Sequence, residues 1–497
     1  MSSGLCIRAI AGRFSLALSR HALEAAMREY PFEFCADISA GPFTPFEGLP
    51  VSAQEHFGSS EIRNAYYAGI NWNDIAPLDE STIMQMREYE AIFMTMVSRL
   101  EFKKSISHLT RKLWYLRHLQ FWSDYLTRHH INLYLSAWVP HEIPDIIIYG
   151  LCKLRGIPVL YFDVATFRDV SFPGHDIRQA APDVAERYSA LLVGHPNGEP
   201  GDVPLREPFA SYEREVVPAK GKPPAIASVG LPTYWQQLRT LVWRRPVAFF
   251  KHGFQYLTPA GWARTFLALQ RWWVVRRTER FYDAHTTVPD LTRPFVYFPL
   301  HYQPEATTLP QGGVFVDQIL AVRLLNAFLP EGVLLCIKEH PRKSSWLSRS
   351  IAYYRDFLEL KNVRFVPRSF DTFALREHCS AVATITGSAG IEALVRGKPV
   401  FLFGSCYYQY ARGVHVIRSA EDCREAMRAV FERSETPQPW TTHLYMKAME
   451  EACVFGTPDP WYLRITQVPE EQHEQALREA LLREVKKLEG AIAQAAR

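Results

Sequence analysis

The sequence predicts an α/β protein built from two doubly wound domains that face a cleft. Apolar runs of strand length alternate with helical segments between residues 290 and 415, which is the pattern of a parallel sheet. A strand–helix–strand unit of the same kind lies between residues 131 and 163. The length of 497 residues also exceeds one ordinary hydrophobic core, so two domains are expected.

The composition is that of an ordinary globular protein, with 47% hydrophobic and 22% charged residues. A formal net charge of +4 is a weak bias, and we expect no nucleic-acid partner. The 8 cysteines are scattered without a C-x-x-C pair, which argues against a zinc site and a disulfide scaffold and favours the reducing cytoplasm. The N-terminus lacks the apolar region of a signal peptide, and no apolar run is long enough to span a membrane.

The first half of the chain is predicted in less detail than the second. Residues 1–80 are punctuated by Pro and Gly and are predicted to be irregular, whereas the spacing of apolar residues over 80–130 predicts helices. Strands are predicted at Ile131–Trp138 and Gly156–Asp163, with a helix from about Pro144 between them. Together these elements predict one βαβ unit.

Two further segments of the first half have unusual compositions. Residues 190–230 are rich in Pro and Gly and are predicted to form a loop or insertion. Residues 234–282 are predicted to be mostly helical, with many Lys, Arg and aromatic residues against the single acid Glu279. This segment is either a solvated basic face on buried helices or a surface for an anionic membrane or glycan.

The second half alternates regularly between the two kinds of element. The predicted strands lie at 295–300, 333–337, 363–366, 381–385 and 400–403, and the helices at 314–328, 351–360, 370–378, 390–396 and from 470 onward. We therefore expect an acceptor-side α/β domain at 1–285, a nucleotide-binding domain at 290–465 and a C-terminal helix at 466–497. Two Rossmann-like halves around a cleft describe a GT-B-like architecture.

A glycine-serine turn follows the predicted strand at 381–385 and carries the best candidate phosphate site. Its residues are Thr386, Gly387, Ser388, Ala389 and Gly390. The two glycines are expected to permit close backbone approach and positive φ, and Ser388 adds a hydroxyl donor at a helix N-terminus. A tight turn without a ligand is the alternative. Glu392, one turn into the helix, either accepts from ribose hydroxyls or lies exposed.

A second polar motif, Lys338-Glu339-His340-Pro341, closes the strand at 333–337. The imidazole of His340 can donate to a phosphate oxygen or act as a general acid for the leaving group. Lys338 is a second candidate cation for the same phosphate. The alternative is a strand-end histidine that is satisfied by the backbone.

Other candidates follow neighbouring strands. His301, Gln303 and Glu305 end the strand at 295–300 and are expected to face the cleft as donor-binding residues. Tyr407, after the strand at 400–403, either contacts the nucleotide base or packs within its loop.

In the first half, three residues are candidates for the chemistry on the acceptor side. His141, Glu142 and Asp163 lie at or beyond predicted strand ends. A transferase needs a carboxylate or histidine there as a general base or nucleophile, so each is a candidate catalytic residue together with His340.

The motifs Tyr297–Glu305, Lys338–Pro341 and Thr386–Leu394, with Gly397-Lys398-Pro399-Val400, resemble those of the capsule polysaccharide biosynthesis glycosyltransferases, which include Kdo transferases of capsule and lipopolysaccharide assembly. The resemblance covers residues 290–415. It implies a GT-B fold and a CMP-activated ulosonic acid donor, CMP-Kdo or a CMP-nonulosonate. By similarity His340 contacts the donor phosphate, and Ser388 with its neighbours holds that phosphate.

The resemblance also implies a glycan or lipid-linked glycan acceptor and a metal-independent reaction without a cofactor, which agrees with the lack of a D-x-D motif in the second half. A cytoplasmic protein, peripheral at the inner membrane through 234–282, is the expected location. Three alternatives remain open: a UDP- or GDP-sugar transferase, a polyol-phosphate transferase, and a non-catalytic glycan assembly protein with a GT-B shell.

Overall fold

The computed structural model of the protein describes residues 5–101, 105–167, 169–196, 202–216, 259–301, 308–340, 349–464, 466 and 468–496. The predicted site residues Gln303 and Glu305 lie outside the described residues, as do Pro341 and positions 234–258 of the basic segment.

The first half contains a six-stranded sheet in the order β3-β2-β1-β4-β5-β6. Its strands are β1 (Ile7–Gly12), β2 (Phe32–Ser39), β3 (Gln54–Gly58), β4 (Leu133–Ser136), β5 (Val159–Val164) and β6 (Ser171–Gly174). All neighbours pair in parallel except β5 and β6, which are antiparallel. This is the strand order of a Rossmann-like sheet.

The prediction that residues 1–80 are irregular was wrong. They contribute three of the six strands, β1 to β3, and helix α1 (Ala17–Glu29) packs on this sheet. The strands β1 and β2 are almost fully buried. The N-terminal segment therefore forms the centre and one edge of the first sheet and is not a loop region.

The second half contains an all-parallel sheet in the order β12-β11-β10-β7-β8-β9. Its strands are β7 (Phe295–Pro299), β8 (Leu334–Lys338), β9 (Val363–Val366), β10 (Ala381–Thr384), β11 (Val400–Leu402) and β12 (Val414–Val416). Counted within the half, this is the same order as in the first sheet. The predicted fold, with two Rossmann-like sheets in a GT-B-like arrangement, is confirmed.

Helices flank both sheets. They are α1, α2 (Ser59–Ile62), α3 (Glu80–Gln85), α4 (Arg87–Met96), α5 (His108–Arg128), α6 (Ile143–Leu154), α7 (Pro182–Gly194), α8 (Phe209–Val216), α9 (Pro259–Ala284), α10 (Gln318–Phe328), α11 (Ile351–Leu358), α12 (Thr372–His378), α13 (Ser388–Val395), α14 (Ala420–Met427), α15 (Pro439–Ala452), α16 (Pro460–Leu463) and α17 (Glu470–Ala495). The helices predicted in the second half are all present. Helix α8 falls within the segment 190–230 that was predicted to be loop.

Two helices connect distant parts of the chain. The C-terminal helix α17 packs against α1 in the first half, with Leu477, Leu481 and Val485 buried against the face of the first sheet. Helix α9 packs on the second sheet instead, because Tyr282 is buried there and its hydroxyl donates to the carbonyl of Val366 at 2.7 Å. Within the described residues, no helix combines the length and the apolar character that a membrane crossing needs.

Candidate functional site

The three motifs of the second half meet at one edge of its sheet. Strand β7 pairs with both β8 and β10, so the residues that follow these strands lie side by side. The strand order reverses between β7 and β10, and in doubly wound sheets such a reversal leaves a crevice in which ligands bind. His301, Lys338 and Thr384 stand at the ends of these three strands.

A chain of buried hydrogen bonds joins the motifs to one another. The buried carboxylate of Glu339 accepts from Arg349 at 2.5 Å and from the hydroxyl of Tyr354. Arg349 also donates to the carbonyl of His301. The His301 ring in turn contacts Thr384, with Nε2 2.8 Å from Oγ1. Arg349 was not predicted as a site residue, yet it connects the motifs after β7 and β8.

His301 is a neutral imidazole that shapes the glycine-serine turn. The backbone N–H of Ile385 can only donate, and it lies 3.3 Å from Nε2, so Nε2 is an acceptor. Burial, with the nearby cations Arg349 and His340, lowers the pKa of His301 to about 3. The structure thus places the predicted donor-binding residue His301 behind the turn, where it positions Thr384.

One of the two expected reasons for the glycines of the turn, positive φ, was wrong. Gly387 has a φ of −75°, and Gly390 lies inside helix α13, so neither adopts positive φ. A Cβ at Gly387 would stand 2.4 Å from Cε1 of His301, and one at Gly390 would stand 2.4 Å from the hydroxyl of Tyr408. The glycines are required because two rings pack directly against the backbone. The Tyr408 hydroxyl also donates to the carbonyl of Gly387 at 2.6 Å.

A cavity of about 470 Å³ opens beside this turn. Five predicted site residues line it, namely Lys338, His340, Ser388, Ala389 and Glu392. Ser388 is the first residue of α13, so the start of this helix lies at the cavity, and the N–H of Gly390 in the same turn donates to the carbonyl of Gly387 at 3.1 Å. We call this cavity the C-terminal pocket. Its cationic side chains and helix N-terminus suit a phosphate group.

Lys338 contributes a cation that the protein itself compensates poorly. The residue is 3% exposed, and its Nζ donates to Oγ1 of Thr372 at 2.6 Å. Burial lowers the pKa of Lys338 to about 8, with Asp371 acting to raise it and Arg376 to lower it. No carboxylate among the described residues lies within ion-pair distance of Lys338. A bound anion would stabilise its charged form.

Several pocket residues were missed from the sequence. Phe373 and Arg376 are on α12, Arg396 ends α13, and Tyr212 comes from α8. Phe373 and Arg376 look like ordinary residues of an exposed helix, and no local motif marks them. Only the folded chain shows that helix α12 borders the pocket.

Glu392 faces the pocket with its carboxylate engaged. It forms an ion pair with Arg376, whose guanidinium group is almost fully buried. Glu392 also lies one helical turn after Ser388, on the same face of α13. Its oxygens therefore line the pocket within reach of a ligand held at Ser388.

Tyr407 does not line the C-terminal pocket. Its ring is buried and stacks on Phe172 of the first half, with ring centres 5.6 Å apart. Its hydroxyl donates to Oγ1 of Thr166 at 2.9 Å. The structure places this predicted base contact in the packing between the halves and not in the C-terminal pocket lining.

In the first half, His141 and Glu142 follow β4 and precede α6. Burial acts to raise the pKa of Glu142, but Arg13, His141 and Arg99 outweigh it and lower the pKa below its usual range. Burial lowers the pKa of His141. Arg13 has a left-handed φ of 69° and forms an ion pair with the buried Asp145 at 3.0 Å. This edge therefore carries an ionised Glu142 beside fixed cations.

Asp163 lies in the contact between the two halves. Its Oδ2 accepts from the side chain of Gln311 at 2.8 Å, and burial raises its pKa to about 7. A second cavity of about 570 Å³ lies near Gln311 between the halves, with Tyr89 and Tyr149 in its lining. None of the predicted site residues that the structure describes lines this second cavity. Within the described residues, no cluster of His, Cys, Asp or Glu could hold a metal ion.

Residues 313–436 match the family model of the capsule polysaccharide biosynthesis protein. The match spans about a quarter of the chain and includes every residue of the C-terminal pocket from Lys338 to Arg396. No curated protein sequence matches the chain.

Three solved structures illustrate what the fold is similar to. The beta Kdo 2,7 transferase structure of Thermosulfurimonas dismutans KpsC is 11% identical, covers 78% of this chain and 95% of its own, and has a TM-score of 0.30. The UDP-GlcNAc 2-epimerase of Methanocaldococcus jannaschii is 8% identical over 90% and 100%, with a TM-score of 0.24. The N-terminal domain of Candida albicans trehalose-6-phosphate phosphatase is 8% identical over 97% and 98%, with a TM-score of 0.28.

At these identities and TM-scores the structural neighbours say nothing about activity or ligand. The family match is independent of them and falls on the segment in which the sequence motifs were found. The predicted resemblance is therefore confirmed over this segment: residues 313–436, in the second half of the chain, are similar to the capsule polysaccharide biosynthesis protein.

Proposed function

We propose that the protein is a glycosyltransferase of bacterial surface polysaccharide assembly. It transfers an ulosonic acid, Kdo or a nonulosonate, from a CMP-activated donor to a glycan or lipid-linked glycan. The observation that carries this proposal is the C-terminal pocket, which gathers Lys338, His340 and Ser388 at the end of a parallel sheet. The choice of a CMP donor rests on the motif resemblance.

The pocket chemistry supports binding of a single phosphate. The first-turn N–H groups of α13 and the hydroxyl of Ser388 supply donors, and Lys338 supplies a buried cation. His340 lines the same pocket and contributes a donor to the departing phosphate oxygen. Stabilising charge as the bond to the phosphate breaks is the main catalytic effect expected here. Because protein cations fill this role, the reaction needs no metal.

The acceptor side belongs to the first half. Glu142 is held ionised by the cations around it, which suits a general base or a nucleophile. Asp163 has a pKa of about 7 and is a second candidate for a proton-transferring group. The cavity of about 570 Å³ between the halves offers the acceptor glycan a site lined by tyrosines and charged side chains.

Association with an anionic membrane surface through α9 is part of the proposal. Phe266 and Trp273 are 68% and 56% exposed, and Arg277 lies over the Trp273 ring at 5.4 Å. The acid of this segment, Glu279, is turned inward and pairs with Arg368 at 3.1 Å. The second acid of α9, Asp283, also pairs with Arg368, at 2.6 Å. Exposed aromatic and basic side chains whose neighbouring acids are paired suit anionic lipid headgroups.

The test is transfer by the purified protein from a CMP-activated ulosonic acid to a glycan acceptor, followed by CMP release. We expect His340→Ala to lower turnover by at least about 100-fold while CMP still binds. Turnover with a UDP- or GDP-sugar and not with the CMP-activated donor would show that the protein is a glycosyltransferase with a different donor. CMP binding without turnover with any donor would favour a non-catalytic assembly protein.

A further inference from the structure

One face of helix α13 runs along the whole C-terminal pocket. Ser388, Glu392 and Arg396 are spaced by four residues and all line it. A rise of 1.5 Å per residue places Glu392 about 6 Å and Arg396 about 12 Å from Ser388 along the helix axis. A nucleoside monophosphate with its phosphate at Ser388 spans this length, which brings its base to the Arg396 end.

The Arg396 end of the pocket combines an aromatic ring with two guanidinium groups. The guanidinium carbons of Arg376 and Arg396 lie 4.7 Å and 5.9 Å from the centre of the Phe373 ring. Phe373 is only partly buried and belongs to the pocket lining. An aromatic ring beside planar cationic groups is a surface on which a flat base stacks.

Two donors at this end have unused hydrogen-bonding capacity. The Nε of Arg376 is buried and has no hydrogen-bond partner among the described residues, and the same is true of the Tyr212 hydroxyl. Arg376 is 6% exposed, and both side chains belong to the pocket lining.

Glu392, between the two ends, argues for a monophosphate. A carboxylate accepts readily from ribose hydroxyls. A second phosphate laid along α13 would instead bring acceptor oxygens against the Glu392 oxygens, and an ionised carboxylate has no proton to donate to them. The order of groups along the helix is therefore phosphate, ribose and base.

We propose that Phe373, Arg376 and Arg396 form a nucleobase site that selects a base with two neighbouring acceptors, as cytosine presents at N3 and O2. This inference rests on the proposed function, since it assigns the base of the donor nucleotide. Phe373 stacks on the base, and the guanidinium groups donate to its acceptor edge. Tyr212 of α8 belongs to the lining of the same pocket.

Calorimetric titration with CMP and with ribose 5-phosphate tests the base site. Arg396→Gln and Phe373→Leu are each expected to weaken CMP binding by about 10- to 100-fold. Ribose 5-phosphate lacks the base, so its affinity should stay unchanged in both variants. Arg364→Gln is the matched control, because Arg364 is an exposed arginine of the same half outside the pocket. Unchanged melting temperatures check that the variants fold.

The outcomes separate this inference from the proposed function. CMP binding that weakens with Ser388→Ala but not with Arg396→Gln or Phe373→Leu would overturn the base site and leave the phosphate site intact. An equal loss of CMP and ribose 5-phosphate binding in Arg396→Gln would also overturn it. GMP binding tighter than CMP binding would show that the site selects guanine and not cytosine. Failure of the wild-type protein to bind either ligand would contradict the proposed function itself.

Discussion

Nε2 of His301 and Oγ1 of Thr384 lie 2.8 Å apart and join β7 to β10 where the strand order of the second sheet reverses. The same Thr384 oxygen accepts from the N–H of Gly387 at 3.0 Å. The pair thereby holds the turn that begins α13 in one shape. A phosphate site built on this turn is organised before its ligand arrives, which lowers the cost of binding.

Gly387→Ala tests this packing. The added Cβ would lie 2.4 Å from Cε1 of His301, so we expect a loss of about 1–3 kcal/mol in unfolding free energy and a large loss of CMP affinity. Chemical denaturation and CMP titration measure the two effects. The second substitution His301→Ala removes the obstructing ring and should restore part of the affinity.

Gly490→Ala is the control for Gly387→Ala. Gly490 lies in helix α17, where an added Cβ meets nothing within 4 Å. The alanine should stabilise the protein by up to about 1 kcal/mol, since it favours the helix. Equal effects of the two substitutions would contradict the close packing at Gly387.

Lys338 makes CMP binding depend on pH. Its pKa is about 8 in the folded protein because of burial, and a bound phosphate favours the charged form. Above pH 8 binding must therefore take up a proton, and the affinity should fall towards a limit of about tenfold per pH unit. Titrations at pH 7, 8 and 9 measure this. Lys338→Met should bind weakly with little pH dependence, and a pH-independent wild type would contradict the role of Lys338.

Asp163 should lower stability at neutral pH. Its folded pKa is about 7, whereas the unfolded value is near 3.9, so between these pH values the folded state retains a proton that the unfolded state releases. Wild-type stability should thus fall as pH rises from about 4 to 7. Asp163→Asn keeps an acceptor for Gln311 and should be more stable at pH 8 by up to about 4 kcal/mol, with no gain at pH 4.

Thermal melting at pH 4 and pH 8 measures the Asp163 effect. If the melting temperatures of the wild type and Asp163→Asn depend on pH in the same way, then Asp163 does not have a raised pKa in the folded protein. Transfer activity provides a second readout for the same variant. A more stable Asp163→Asn protein that has lost transfer would identify this carboxyl group as part of the chemistry.

Glu484 attaches the C-terminal helix to the first domain. It is buried, 3.4 Å from His175 and 3.0 Å from Lys487, and although burial opposes the change, these partners lower its pKa to about 2. Glu484→Gln should cost about 1–3 kcal/mol at pH 7 and expose α17 to proteolysis. The wild-type contribution is present above about pH 4.5 and disappears as pH falls towards 2.

The exposed Glu479 of the same helix provides the control for Glu484. Glu479→Gln should change the unfolding free energy by less than about 0.5 kcal/mol. If both variants lose the same stability, then the Glu484 ion pairs do not hold the helix.

Five strands of the second sheet were predictable because they are mostly buried and appear as apolar runs. The edge strand β12 was missed, since it is short and only partly buried. The strands β1 and β2 were missed because polar residues interrupt them. Arg8 of β1 donates to the carbonyl of His129 at 2.5 Å, and Asp37 of β2 lies 3.0 Å from His56. The sequence does not reveal these hydrogen-bond partners, so the mixed polar and apolar residues of β1 and β2 were interpreted as a loop.

The site was predictable only in part, because some of its residues come from helices and not from strand ends. Lys338, His340 and Ser388 follow strands, so the sheet alone brings them together. Arg376 and Tyr212 reach the same pocket from helices, and their arrival depends on tertiary packing that no local pattern encodes.

The central claim is a CMP-selective phosphate site in the C-terminal pocket, and calorimetric titration with CMP, UDP, GDP and CDP tests it most directly. We expect CMP to bind most tightly and Ser388→Ala to weaken it by about tenfold, in line with the loss of a hydrogen bond to a charged group. Preference for UDP or GDP would contradict the CMP donor, and preference for CDP would favour polyol-phosphate transfer. No binding of any nucleotide would contradict the transferase itself.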